Sequence, residues 1–80
     1  MTVARLRLFG PIAELAGTRH DHVPGASVAE AVAAASERYG DAFARLAAHC
    51  RVWVNGEGAD PTTPVGDDDE VALLPPVSGG

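Results

Sequence analysis

Glu70-Val71-Ala72-Leu73-Leu74-Pro75-Pro76-Val77-Ser78-Gly79-Gly80 is the stretch that decides how this chain reads. Its first five residues are almost wholly apolar, the pattern of a strand that lies centrally in a sheet and is buried on both faces. A proline pair ends that strand, because proline has no N–H to give to a ladder and fixes its own φ. The chain then runs into two glycines, which have no Cβ and pass through a channel too narrow for any other residue. A Gly-Gly carboxylate is also the least hindered acyl group a protein can offer. The expectation is a domain that ends at Pro75 and a tail, 76–80, that carries something on Gly80. Pro75 to Gly80 reach roughly 20 Å when extended at about 3.3 Å each.

The residues upstream supply the rest of a sheet and a helix to cover it. Thr2 to Phe9 alternates, with Val3, Arg5, Arg7 and Phe9 on one side and Ala4, Leu6 and Leu8 on the other, as in a half-buried strand. Gly10-Pro11 breaks it, and Pro11 suits the start of a short helix, Ile12 to Ala16, closed by Gly17. Thr18 to Val23 is polar and extended, an expected edge strand, and Pro24-Gly25 is a turn. Ser27-Val28-Ala29-Glu30 reads as a capping box, in which the Ser27 hydroxyl accepts from the Glu30 amide and Glu30 reaches back to the Ser27 amide. Val28, Ala31, Val32, Ala35 and Tyr39 follow at helical spacing, and Gly40 ends this main helix. Asp41 is positioned to cap a further turn or two bearing Phe43, Leu46, Ala47 and Cys50 on one face. Arg51 to Asn55 is a strand with Val52 and Val54 inward, and Asn55-Gly56 is a strong turn signal. Glu57 to Asp69 reads as loop with room for one short strand. The order predicts an α+β domain: a small mixed sheet covered by one main helix.

Composition narrows the function. Eighty residues make one small domain. A single cysteine, Cys50, excludes a disulfide framework and multi-cysteine zinc. No basic-then-apolar leader and no membrane-length apolar run is present, so a cytoplasmic protein with no membrane partner is expected. The net charge of −5 argues against nucleic acid and toward a basic protein partner, or simply solubility. All six cationic residues are arginine. Coding bias explains that readily; a second reading is that an activated acyl end gains from the absence of side-chain amines.

Leu8-Phe9-Gly10 followed by Glu14-Leu15-Ala16-Gly17, then Val54-Asn55-Gly56-Glu57, then the run from Asp67 to Gly80, together resemble the small subunit of molybdopterin synthase, the MoaD-type sulfur carriers of the MoaD/ThiS family. The resemblance covers nearly the whole chain and implies a ubiquitin-like β-grasp fold. An acidic turn, an apolar strand and Pro-Pro-Val-Ser-Gly-Gly are more specific than the bare glycines, which several carriers and modifiers share. An aromatic residue often precedes the proline pair in that family; Leu74 stands there in this chain, making the expected partner patch less aromatic.

The resemblance implies a chain that is no enzyme alone. An E1-like activating enzyme would spend ATP to adenylate Gly80, with Gly79 beside it, and then sulfurate it to a thiocarboxylate; no cofactor would be bound permanently. The large subunit of the synthase would take the tail beside a pterin precursor, in an expected heterotetramer, toward the molybdenum cofactor. Phe9, Leu74, Pro75, Pro76, Val77 and Ser78 would meet the partner. The alternatives are a carrier for thiamine or cysteine synthesis, or a ubiquitin-like modifier that forms isopeptide bonds.

Other candidates weigh less. His20 and His22 share one strand face, but two ligands are too few for structural zinc, and a solvated face is the better reading. Asp67, Asp68, Asp69 and Glu70 are either an ordinary turn or a patch for a basic partner, and they lack the pattern of a calcium loop. Cys50 reads as a small core residue rather than a nucleophile. Phe9 and Leu74 end neighbouring strands and are equally readable as core or as an exposed apolar patch. Trp53 is either core or a second contact with the partner.

Overall fold

Alternation in the first strand sets the two sides of the molecule. In the computed structural model, which describes residues 2–76, β1 (Val3–Leu8) buries every second residue, Ala4, Leu6 and Leu8. The chain continues through α1 (Gly10–Ala16), β2 (His20–Pro24), α2 (Val28–Tyr39), α3 (Asp41–Ala47), β3 (Arg51–Val54), β4 (Glu57–Ala59) and β5 (Glu70–Leu74). The five strands lie in the order β2-β1-β5-β3-β4. β1 and β5 are parallel, and every other neighbouring pair is antiparallel. This is the mixed sheet of a ubiquitin-like β-grasp, and β5 is its middle strand.

The central place expected for β5 is correct, but its burial is one-sided. Val71 and Leu73 are fully buried, whereas Glu70, Ala72 and Leu74 are only half-buried. The physical reason is that the helices cover one face of the sheet and nothing among the described residues covers the other. The covered face joins Ala4, Leu6, Leu8, Val23, Val71 and Leu73 to Ile12 of α1, Val28, Ala31 and Ala35 of α2, and Phe43 and Ala47 of α3. α2 is the main cover, as expected, and α1 and α3 add Ile12, Phe43 and Ala47 to the same core. Phe43, fully buried, is the largest side chain in it, and its ring tilts against Tyr39 at 5.1 Å between centroids.

Local chemistry explains most boundaries. α1 begins at Gly10 rather than Ile12, since Pro11 occupies the first turn, where its missing N–H costs nothing, and Phe9 takes the cap position. Gly17 closes it at φ 76, with its N–H on the Ala13 carbonyl. At α2 the Ser27 hydroxyl accepts from the Glu30 amide at 3.2 Å. The Glu30 carboxylate, however, reaches past Ser27 to the Ala26 amide at 3.1 Å. The Val28 and Ala29 amides are satisfied by the carbonyls of Thr63 and Pro61, so the loop after β4 completes the cap. Asp41 does not cap α3: Gly40 holds that position, and Asp41 lies in the first turn, where its charge suits the dipole. Asn55 and Gly56, at φ 52 and 84, form the tight reversal between β3 and β4. β4 is the short strand for which the loop left room.

Gly25 is more than a turn residue. A Cβ there would lie 2.6 Å from the Ala31 backbone nitrogen, so only glycine lets the chain leaving β2 pass the first turn of α2. Asp21 of the edge strand is gripped from α2 by Arg38, at 2.6 Å, and by the Tyr39 hydroxyl. Arg38 also donates to the His22 carbonyl at 2.9 Å. Burial pushes the Asp21 carboxyl up, but the Tyr39 and Arg38 hydrogen bonds outweigh it and hold it below the usual carboxylate value. Among the described residues, no helix is long and apolar enough to cross a membrane.

Candidate functional site

The uncovered sheet face gathers the candidate residues at the end where β5 runs out. Register places Arg5 beside Glu70 and His22, Arg7 beside Ala72 and His20, Trp53 beside Ala72, and Arg51 beside Leu74. Residues paired across strands share a face, so Ala72, Leu74 and Trp53 stand together on the open side. The last pair of the parallel ladder is Leu8 with Leu73, and Phe9 and Leu74 are the next residues of the two chains. The expected neighbouring strand ends are therefore real.

The open choice between core and surface resolves toward surface. Phe9 is 36% exposed and Trp53 37% exposed, while Leu74 is half-buried. None of the three belongs to the core cluster. Pro75 is half-buried and Pro76 exposed as the chain leaves the sheet. Val77, Ser78, Gly79 and Gly80 lie outside the described residues. The Arg7 guanidinium sits over the Phe9 ring, 5.1 Å from its centroid, and 3.8 Å from the Glu70 carboxylate. That stacking holds one cation against the apolar patch. Sequence reading passed over Arg7, Arg51 and Ala72; the alternation of β1 named the first, but only strand order places the other two beside Leu74.

The acidic run serves the opposite end of the face. Asp67 accepts from the Val3 amide at 2.8 Å. Asp69 accepts from the Asn55 side chain and from the Gly66 amide, each at 2.8 Å. Those two donors, with the Arg5 charge behind them, hold the Asp69 carboxyl below its ordinary value against a small opposing effect of burial. Asn55 in turn accepts from the Glu70 amide at 3.0 Å. Of the two readings of the run, the structural turn is the one the geometry supports for Asp67 and Asp69: they pin the entry of β5.

His20 and His22 lie exposed on the open face opposite Arg7 and Arg5. Among the described residues no three His, Cys, Asp or Glu side chains gather to hold a metal ion. Cys50 is half-buried against the core, and burial pushes its thiol pKa up, away from nucleophilic use.

A five-stranded β-grasp sheet, helices on one face, and an apolar patch where the middle strand leaves the domain define a ubiquitin-like protein of the carrier and modifier class. The ThiS family model matches residues 6–80, and the chain belongs to the ThiS family. Among solved structures it is similar to small archaeal modifier protein 1 (SAMP1) of Haloferax volcanii, with 32% identity, a TM-score of 0.83, and coverage of 98% of this chain and 99% of that one. It is also similar to a chain in the complex of subunits 1 and 2 of the molybdopterin-converting factor of Helicobacter pylori, with 26% identity, a TM-score of 0.68 and coverage of 98% and 99%. The BexX/CysO complex of Amycolatopsis orientalis contains a chain of the same fold, with 24% identity, a TM-score of 0.80 and coverage of 96% and 99%. No curated protein matches the chain.

Proposed function

We propose that this chain is the sulfur-donating small subunit of a molybdopterin synthase. The observation that carries the reading is the exit of the chain: the middle strand ends at Leu74 on an exposed apolar face and passes at once into Pro75-Pro76. A tail leaving there starts beside the patch that grips a partner and is stiffened from its first residue. Stiffening lowers the ordering entropy lost on insertion. The body, 1–75, then stays outside while the tail, 76–80, carries Gly80 into a buried pocket. The Helicobacter pylori complex supports the reading, because there a chain similar to this one is paired with a second subunit.

The chemistry lives on Gly80. A carboxylate is a poor acyl donor because it is anionic and has no good leaving group. An E1-like enzyme joins it to AMP from ATP with release of pyrophosphate. The outer sulfur of a persulfide displaces AMP: the acyl–phosphate bond breaks, an acyl–sulfur bond forms to give an acyl disulfide, and a second thiol of the activating enzyme cleaves its S–S bond, leaving a thiocarboxylate on the chain and a disulfide on the enzyme. The synthase large subunit, in a heterotetramer, presents a pterin precursor to that sulfur, and two such transfers build a dithiolene for molybdenum. Gly79 lets the tail enter a narrow channel, and Phe9, Leu74, Pro75, Pro76, Val77 and Ser78 meet the partner. The chain itself supplies no acid, base or metal.

A second reading, a ubiquitin-like protein modifier, is favoured by the 32% identity to small archaeal modifier protein 1. Mass spectrometry of the chain from its native cell separates the two. A carrier shows exchange of one oxygen for sulfur at Gly80; a modifier appears as conjugates of higher mass. Finding conjugates and never the exchange would overturn the first reading.

A further inference from the structure

The chain is acidic overall, but its charge is sorted. The open sheet face presents Arg5, Arg7 and Arg51, with Glu70 the acidic residue placed among them by register. The neighbouring carboxylates of Asp67 and Asp69 are committed to backbone amides and Asn55, and Arg5 itself donates to the Asp68 carbonyl at 3.0 Å. Toward the Leu74 end the surface is cationic and apolar: Arg7 stacked on Phe9, Arg51 paired with Leu74, Trp53 paired with Ala72, and exposed Arg19 beside the same β1 terminus. Of the other acidic residues, Glu14, Glu30, Glu37 and Asp41 lie on the helices, Asp21 on β2, Glu57 on β4, and Asp60 and Asp68 in loops. The net charge of −5 is therefore no guide to the Leu74 end of the open face, where arginines predominate, and the inference of a basic partner from it does not apply there.

We propose that the Leu74 end of the open face docks a protein surface that is apolar at its centre and carries carboxylates on its rim, facing Arg7 and Arg51. The inference rests on the reading of this face as the partner surface and adds the chemistry of what it meets. Arginine and tryptophan around an aliphatic centre are the residue types that anchor interfaces. Rim guanidiniums steer encounter and set its salt dependence more than they set affinity. Arg7, already ordered over Phe9, gives up little side-chain freedom when it pairs.

The test measures association rates of the full chain with the molybdopterin-synthase large subunit from the same genome, across a NaCl series. The variants are Arg7→Glu, Arg51→Glu, the two combined, Leu74→Asp, and Arg45→Glu on α3 as a control equal in charge change to either single reversal. The expected result is a wild-type association rate that falls with salt, a loss of about tenfold in that rate at low salt for the double reversal, and little change for Arg45→Glu. Circular dichroism of each variant establishes that it is folded. If Leu74→Asp weakens binding while salt and the double reversal do nothing, or if Arg45→Glu slows association as much as either single reversal does, the acidic-rim inference is overturned and the carrier reading stands. If folded Leu74→Asp and the double reversal both bind as wild type, the face is not the docking surface and both fall.

Discussion

Leu74 does two jobs with one half-buried side chain. It continues β5 beside Arg51, and it exposes an aliphatic edge where the chain leaves the sheet. Because it lies outside the core, Leu74→Asp should leave the domain folded, at a cost of about 1 kcal/mol or less. It should weaken partner binding about tenfold or more. Urea denaturation and calorimetric titration measure the two effects separately, and an unfolded variant would mean that Leu74 supports the core after all. Asn55 is the opposite kind of residue, all local structure. It adopts φ 52, donates to Asp69 and accepts from the Glu70 amide. Asn55→Ala should cost about 1–2 kcal/mol through the lost hydrogen bonds. It should also change the response to acid. The carboxyls of Asp21, Asp60 and Asp69 are all held below 3.8, so they bind protons less readily folded than unfolded. Their contribution is complete above the unfolded value and is lost as pH falls through the lower folded values. Urea midpoints should therefore be flat from neutrality to about pH 5 and drop below about pH 4. The drop should be smaller in Asn55→Ala, where Asp69 returns toward its ordinary value.

Elements were legible in proportion to how local their causes are. The cap at Ser27, the stop at Gly40 and the turn at Asn55-Gly56 are written within a few residues, and each holds. The helix α1 started two residues early because the first turn tolerates Pro11 and needs no side-chain cap. What stayed hidden depends on partners far apart in sequence. Asp21 meets Arg38 and Tyr39 across 17 and 18 residues. The start of α2 is finished by carbonyls of Thr63 and Pro61. The apolar run of β5 reads as buried twice over, yet Ala72 and Leu74 are kept on an open face. A patch for a partner and a second buried face look alike in a sequence. The junction between β2 and α2 carries its own prediction. Gly25→Ala sets a methyl against backbone rather than against a side chain that can swing away. It should cost about 1–3 kcal/mol, seen as a lowered urea midpoint with an unchanged slope.

Over the whole molecule, the proposed division into a body and a delivering tail makes a clean demand. Among the described residues the core cluster ends at Leu73, so removal of Gly79 and Gly80 is expected to leave it whole. The shortened chain should melt with the wild type and still bind the large subunit. It should accept no sulfur and support no dithiolene formation in a reconstituted synthase. A truncated chain that still delivered sulfur would end the mechanism. The middle strand and its exit were readable because Glu70 to Pro76 adjoin in sequence. The gathering of Arg7 and Arg51 beside Leu74 was not, since it depends on strand order.

The pairing of β5 between β1 and β3 has a consequence for how the protein is made. The middle of the sheet is synthesised last, so a nascent chain short of Leu74 has a gap where its core should close. Its first strand waits for its final one, a contact of long sequence separation that forms late. A broken or prematurely ended message then yields an unfolded chain, open to proteolysis, rather than a folded domain with a defective end. Completion of the fold vouches for the integrity of the chain as far as Leu74, so a domain that meets any partner has already been inspected by its own folding.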